Sequence, residues 1–409
     1  MSSKAVGNVI FTISKHKNAF DQSLSSSQLL QALWKPPSKS EVNSMRTLPM
    51  EMRPKVDLQK EIAKNSGKEG LSLKLAQTFG YAKELVKFYK HGVKSVWDNN
   101  KDLRKMKKSD YKVTNQLNNA GKTIDITVPS FSVLTKEMSQ ALYNAFVENR
   151  TSLENSAGDV VRHDKASTAT NYKSNLFNLP RSDYLLLKRT PVDFIKIPTF
   201  SVIFIIFMEM TPLLCYAFPE ITPSTCVLPS ILPRLWSPKK SERMLNSVPK
   251  DANVEDFAAK TAYNLSVDQV RALADALRLK TKYIPTALFP VSVLRNRLQA
   301  HYNYLKVDNY YLSGLNGNGN VWDLTKAELL RACLERGMIH NIKKFTDLEE
   351  SSQSDKAEVL AHELDLLRLQ LIQFIMNFEK YNMGYLFLSQ LVEKPDSTAL
   401  SWRKNLANM

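Results

Sequence analysis

Apolar residues recur at steps of four and three along much of this chain, a spacing that predicts helices. The longest seam runs from Leu360 through Leu364, Leu367, Leu371, Phe374, Phe378, Tyr381, Tyr385, Leu388 and Val392, heptad spacing that predicts one long helix over 355–395. Ile372, Ile375 and Met376 widen the seam and Gly384 weakens the helix, so two readings stay open. The helix packs into its own domain, or copies of the chain pair as a homo-oligomer through 360–392. Upstream, Ser266 with Gln269 has the pattern of a capping box, and Val270, Leu273, Ala274 and Leu277 then share one helical face. Leu294, Leu298, Tyr302 and Leu305 form a second stripe. Thr325 with Glu328 has the pattern of another box, and that helix should end at Arg336 before Gly337, a suitable residue just past a helix end. These elements predict a small all-α domain over 250–345. "SGLNGNGN" (313–320) lacks the strand that flanks a phosphate-cradling loop and reads as a turn.

One stretch, "FSVIFIIFMEMTPLLCYAF" (200–218), is apolar enough for a bilayer. At about 1.5 Å per residue it approaches the hydrocarbon thickness of about 30 Å, so a single span is expected over 198–218, inside a membrane segment of 179–236. Glu209 lies within it and Pro212 follows one turn later. A carboxyl group in hydrocarbon tends to be neutral, which suits proton carriage, but it could equally bond a neighbouring helix or snorkel. Basic residues flank the stretch on both sides, so charge does not orient it. Residues 55–104 read as an amphipathic helical segment, and 105–178 as a loop-rich insertion with a helix near 135–150. The expected fold is mainly α: a single transmembrane helix, a small all-α soluble domain and a long C-terminal helix.

Charge adds a partner class. The formal net charge is +16, which suggests a polyanion, either nucleic acid or anionic lipid. Between 260 and 306, Lys260, Arg271, Arg278, Lys280, Lys282, Arg295, Arg297 and Lys306 face only Asp268 and Asp275; with Arg336 they form the candidate polyanion surface. Residues 1–48 begin without an acidic residue until Asp21 and carry "SLSSSQ", the look of a mitochondrial presequence, with a disordered polar tail as the alternative. Cys215, Cys226 and Cys333 are odd in number and scattered, which fits a reducing compartment better than a disulfide framework. No nucleophile elbow, phosphate-binding loop or dinucleotide fingerprint is present, and the histidines show no metal spacing. Neither an enzyme, a metal site nor a cofactor is expected.

"LPRSDYLLLKRTPVDFIKIPTFSVIFIIFMEMTPLLCYAFPEITPSTC" (179–226) resembles the membrane segment of the LETM family, the leucine-zipper, EF-hand-containing transmembrane proteins of the mitochondrial inner membrane. The membrane segment carries Leu179, Arg181 and Asp183; Arg189, Thr190 and Asp193; Met208, Glu209 and Pro212; and Phe218, Pro219, Pro223, Ser224 and Thr225. Upstream, Tyr89, Gly92, Lys94 and Trp97 are similar to another family segment. "LSVDQVRALADAL", "VLRNRLQAHYNYLKVDNYYL" and "LTKAELLRACLERGM" resemble the family's ribosome-binding blocks, through Leu294, Arg295, Leu298 and Asp308 in the middle one. The last fits through Leu324, Thr325, Glu328, Leu329, Ala332, Cys333, Arg336, Gly337 and Met338. "DNNKDLRKMKKS" fails as an EF-hand, with Leu103 at the turn-glycine position and Ser109 at the bidentate-glutamate position. The resemblance implies a single-pass inner-membrane protein with its C-terminal domain in the matrix. It would bind the mitochondrial ribosome, contact inner-membrane lipids and support insertion of mitochondrially made proteins. The alternative it implies is proton-coupled cation exchange, with Glu209 as the carrier.

Overall fold

The apolar spacings do produce helices. The computed structural model describes residues 9–13, 16–36, 41–66, 69–108, 112–115, 124–127, 130–156, 176–207, 210–280, 284–350 and 354–407, and among them the fold is mainly helical. The chain begins with α1 (Lys17–Ser26) and α2 (Gln28–Trp34), then α3 (Lys55–Ser66) and the 39-residue α4 (Gly70–Lys108). An antiparallel hairpin of β1 (Lys112–Asn115) and β2 (Ile124–Thr127) precedes α5 (Phe131–Ser156). The apolar helix follows as α6 (Arg181–Phe207), with α7 (Thr211–Ala217) behind it. The remaining body is built on α8 (Val267–Ala276), α9 (Val291–Leu312), α10 (Lys326–Glu335) and α11 (Ser354–Lys380).

The described part of the 1–48 segment, read from sequence as a presequence or polar tail, packs against the body. Phe20, Leu29, Leu30, Leu33 and Trp34 are core residues, and Trp34 meets the ring of Trp322 edge-on at 6.1 Å. Asn377 accepts the amide of Phe11 at 2.9 Å and donates to its carbonyl at 2.8 Å, so this segment is tied to α11. Within the 105–178 segment, α5 is likewise part of the body, and residues 157–175 lie outside the described residues. Leu134, Met138, Ala141 and Ala145 of α5 are buried, and α5 packs along α9.

The domain over 250–345 is not separate: its apolar residues share one continuous core with α2, α5, the first half of α6 and α11. The Ser266–Gln269 capping box forms as expected, with both reciprocal hydrogen bonds present. The Thr325–Glu328 box does not form, because the Glu328 carboxylate is taken by arginines more than a hundred residues away. Gly337 holds φ +68° just past α10, as its position required. The 313–320 segment is a turn: Asn316 bonds both the amide and the carbonyl of Phe177, and Asn320 donates to the Lys35 carbonyl.

The seam over 360–392 is also spent internally. Leu367, Leu371, Phe374 and Phe378 are buried, and α11 stops at Lys380. Beyond it, Asn382 and Gly384 donate their amides to the carbonyls of Ala258 and Lys260 at 3.0 and 2.9 Å. A Cβ on Gly384 would lie 1.7 Å from the Phe257 carbonyl oxygen, so glycine is required where two backbones touch. Of the two readings of the seam, this packing is the internal one.

The expected span over 198–218 is not one straight helix. The apolar helix starts at Arg181, and its first half, with Tyr184, Leu185, Leu186 and Leu187, is buried in the body. It ends at Phe207, and α7, whose second residue is Pro212, brings Cys215 back into a core shared with Phe200. The second half of α6, α7 and the middle of α4 form an arm with a small core of its own: Leu85, Phe88, Tyr89, Phe200, Cys215, Cys226, Leu228, Ile231 and Leu235.

Candidate functional site

Arg181 and Arg189 stand on the half of α6 that enters the body, and both are buried there. Arg181 donates through Nε to Asp308 Oδ1 at 2.8 Å and through Nη1 to the Val42 carbonyl at 2.6 Å. Arg189 grips Glu328 with two nitrogens, at 2.5 and 3.0 Å, the paired geometry in which arginine excels. Arg336 donates to the other Asp308 oxygen at 2.7 Å and to Asn309 Oδ1. Each buried carboxylate thus serves two arginines, because Arg181 also lies 3.6 Å from Glu328. A further carboxylate, Glu335, accepts from Lys188 at 3.0 Å and from the Tyr304 hydroxyl at 2.5 Å.

The titration behaviour follows from these neighbours. Burial pushes the Asp308 carboxyl up, but Arg181 and Arg336 outweigh it and hold it below its ordinary value. Glu328 is lowered in the same way, chiefly by Arg189 against burial, and Glu335 well below by Lys188 and Arg331. Burial, reinforced by Lys188, pushes His301 down to about 4, which leaves a neutral imidazole whose Nε2–H donates to the Glu335 carbonyl at 2.8 Å. These groups pair with one another, and the lattice locks α6, α9 and α10 together; it is an anchor for the arm.

The arm itself carries two opposed faces. Trp97 meets Phe194 at 6.0 Å, and Tyr89 meets Phe200 and Phe204 at 5.7 and 5.8 Å, so α4 and α6 run antiparallel side by side. Gly92 lets the Ser224–Cys226 turn cross α4, since a Cβ there would come within 2.8 Å of the Thr225 carbonyl oxygen. The inner faces are Leu85, Phe88, Tyr89, Gly92 and Val96 on α4 and Ile197, Phe200 and Phe204 on α6. Helical geometry then turns Ile195, Thr199, Val202 and Ile206 outward on α6, with Ile195 78% and Ile206 65% exposed. Ile205, Phe207, Met210, Leu213, Tyr216 and Phe218 extend the exposed apolar surface. On the far side of α4, Lys83, Lys87, Lys90 and Lys94 recur at steps of four, three and four, all exposed. Among the described residues none of the four has an ion pair or hydrogen bond. A lysine at the middle of a spanning helix costs about 2.5–3.5 kcal/mol, so these two faces belong to different surroundings.

The sequence-chosen polyanion residues are mostly occupied within the chain. Arg278 pairs with Glu220 at 2.7 Å and lies over the Trp236 ring, and Lys280 pairs with Asp275 at 3.4 Å. Arg295 and Arg297 donate to the carbonyls of Leu265 and Leu279, and Lys306 pairs with Glu379. Arg271 is half-buried, Arg336 is fully buried, and Lys282 lies outside the described residues. Glu209 also lies outside them; Pro212 opens α7. The lysine stripe of α4 was missed, although its alternation with Leu85, Phe88, Tyr89 and Val96 is written in the sequence.

The resemblance to the LETM family is overturned by comparison with known families. The model that matches is that of the pentamidine resistance factor domain, over residues 42–315, about two-thirds of the chain. The shared motifs are short, and their polar members have local duties: Arg181 and Arg189 bind the lattice, and Asp193 binds the Ser224 amide at 2.9 Å. Such needs are common to many helices that leave a polar body. The match begins at Val42, whose carbonyl caps Arg181, and ends after α9, so Glu328, Glu335 and Arg336 of the lattice lie beyond it. No curated protein and no solved structure matches the chain. With two-thirds of its length matched, the chain belongs to the pentamidine resistance factor domain family, which is associated with mitochondrial membrane proteins.

Proposed function

We propose that this protein is a membrane-bound adaptor of the mitochondrial inner membrane. It rests its apolar arm in the lipid and offers its lysine stripe to the mitochondrial ribosome in the matrix, and so supports insertion of newly made membrane proteins. The observation that carries the reading is the opposition of the two faces across the α4–α6 pair. One face is apolar and exposed; the other presents four cations in line that have no partner among the described residues. Apolar exposure on this scale marks a partner or a membrane. A row of lysines free of internal carboxylates suits closely spaced phosphates, because neutralising them releases counterions.

The reading moves the polyanion surface from 260–306 to α4. Its test is salt-graded sedimentation of mitochondrial ribosomes with the full chain. Replacing Lys83, Lys87, Lys90 and Lys94 by Glu should abolish co-sedimentation at moderate salt, while the wild-type protein should detach progressively as salt rises. Retention of ribosomes by the fourfold variant would contradict the assignment of the stripe.

A further inference from the structure

We infer that the arm seats in a single leaflet and does not cross the bilayer, so that the chain before it and the chain after it lie on the same side. This deepens the membrane reading above and rests on it. Three observations on the arm converge. The first is closure. The Ser224 amide donates to Asp193 Oδ1 at 2.9 Å, and Lys196 Nζ donates to the Thr222 carbonyl at 3.1 Å. The two ends of the 197–221 excursion are thus held together at the edge of the body. A segment that leaves and returns at one level cannot deliver its C-terminal end to the opposite surface.

The second is reach. From Ile197 to Phe207 the helix rises about 16 Å, roughly half of the hydrocarbon thickness of about 30 Å. After the turn, α7 comes back: Cys215 is buried in the arm's core with Tyr89, Phe200 and Cys226. The third is the neighbour. Because α4 lies antiparallel along α6, driving α6 through hydrocarbon would carry Lys83, Lys87 and Lys90 in with it, unpaired. An arm laid in the interface, with Ile195, Val202 and Ile206 down among the acyl chains and the lysines up in water, avoids that cost. At the edge of the apolar surface, Arg234 lies 3.8 Å over the Tyr216 ring and donates to its carbonyl, a cation and an aromatic ring suited to headgroup level.

The test binds the full chain to preformed sealed vesicles of phosphatidylcholine and cardiolipin. Single cysteines are introduced by Asp98→Cys on α4, before the arm, and Lys250→Cys, after it; both positions are exposed and the three native cysteines are buried. A membrane-impermeant maleimide is then added outside. Equal labelling of the two positions without detergent is the expected result. A third variant, Ile206→Cys carrying an environment-sensitive fluorophore, should be quenched more strongly by lipids spin-labelled near the headgroup than by those labelled at the chain end. Protein that floats with the vesicles but shields one of the two positions until detergent is added overturns the inference and leaves the membrane reading standing. So does stronger quenching from the chain end. Protein that does not float at all overturns the membrane reading, and this inference with it.

Discussion

The two halves of α6 share one backbone and live in different chemistry. From Arg181 to Asp193 the helix buries two arginines and an aspartate and finds a partner for each. From Ile197 to Phe207 it has no charged side chain, and much of its surface is bare. Sequence alone blurs the two into one hydrophobic helix, because leucines dominate the first half and isoleucines the second. The difference lies in what the polar residues meet. In the first half, carboxylates from α9 and α10 compensate the buried charge. The second half is flanked by α4, α7 and the 219–235 segment, and Ile195, Val202, Ile205 and Ile206 on its outer face are exposed. One half holds the arm to the body; the other is the part that the proposed function offers to lipid.

Breaking the buried half should have the largest effect. Asp308→Ala strands two buried guanidiniums, and removing one partner of such a lattice costs about 3–5 kcal/mol, to be read as a lowered denaturation midpoint. Ile206→Asp, on the exposed half, should shift the same midpoint by less than about 0.5 kcal/mol. Equal losses would erase the distinction between the halves.

Acid should act on the buried half next. His301 is held at about 4, below its ordinary value, so the unfolded chain binds a proton that the folded chain refuses between pH 6.5 and 4. Stability is therefore lost as pH falls through that window, by up to about 3 kcal/mol from this residue. The lowered carboxyls of Asp308, Glu328 and Glu335 add to the loss below their unfolded values, because protonation favours the unfolded chain. His301→Gln should flatten the fall between pH 6.5 and 4 in a melting series; an unchanged slope would remove His301 from the account.

A smaller effect is expected where α4 is crossed by the 224–226 turn. Gly92→Ala forces a methyl group against the Thr225 backbone and should cost about 1–3 kcal/mol, with loosening of the arm seen as faster amide exchange in 85–96. Smallest of all, Lys87→Glu should leave stability within about 0.5 kcal/mol, since Lys87 touches no partner among the described residues. A melting point that moves with this variant would place the lysine stripe in the fold instead of on a free surface.

Much of the helical fold was legible because its cues are local. The Ser266–Gln269 box, the Leu294, Leu298 and Leu305 stripe and Gly337 all act within a few residues, and all stand as expected. What sequence could not resolve depended on distant partners. Glu328 reads as a capping residue until Arg189 arrives from 139 residues away. The heptad seam fits an internal helix or a coiled coil equally well in sequence, and the internal packing depends on the body that covers it. The basic run over 260–306 reads as a surface until Glu220, Asp275 and Glu379 fold back onto it. The lysine stripe of α4 had the opposite fate: it was locally visible but drew no notice beside a larger charge run. The doubling back of the apolar arm could not be read at all, since Asp193–Ser224 and Lys196–Thr222 are tertiary contacts.

The central claim is that one arm presents lipid and polyanion faces in opposite directions, and co-flotation tests it most directly. Mitochondrial ribosomes are mixed with the full chain and vesicles containing cardiolipin, and the ribosomes recovered with the floated lipid are measured against a mixture lacking the protein. The account predicts that ribosomes float only with the wild-type chain. Val202→Asp with Ile206→Asp should leave protein and ribosomes together at the bottom, while the fourfold lysine variant should float without ribosomes. Ribosomes that float equally well with either variant would contradict it.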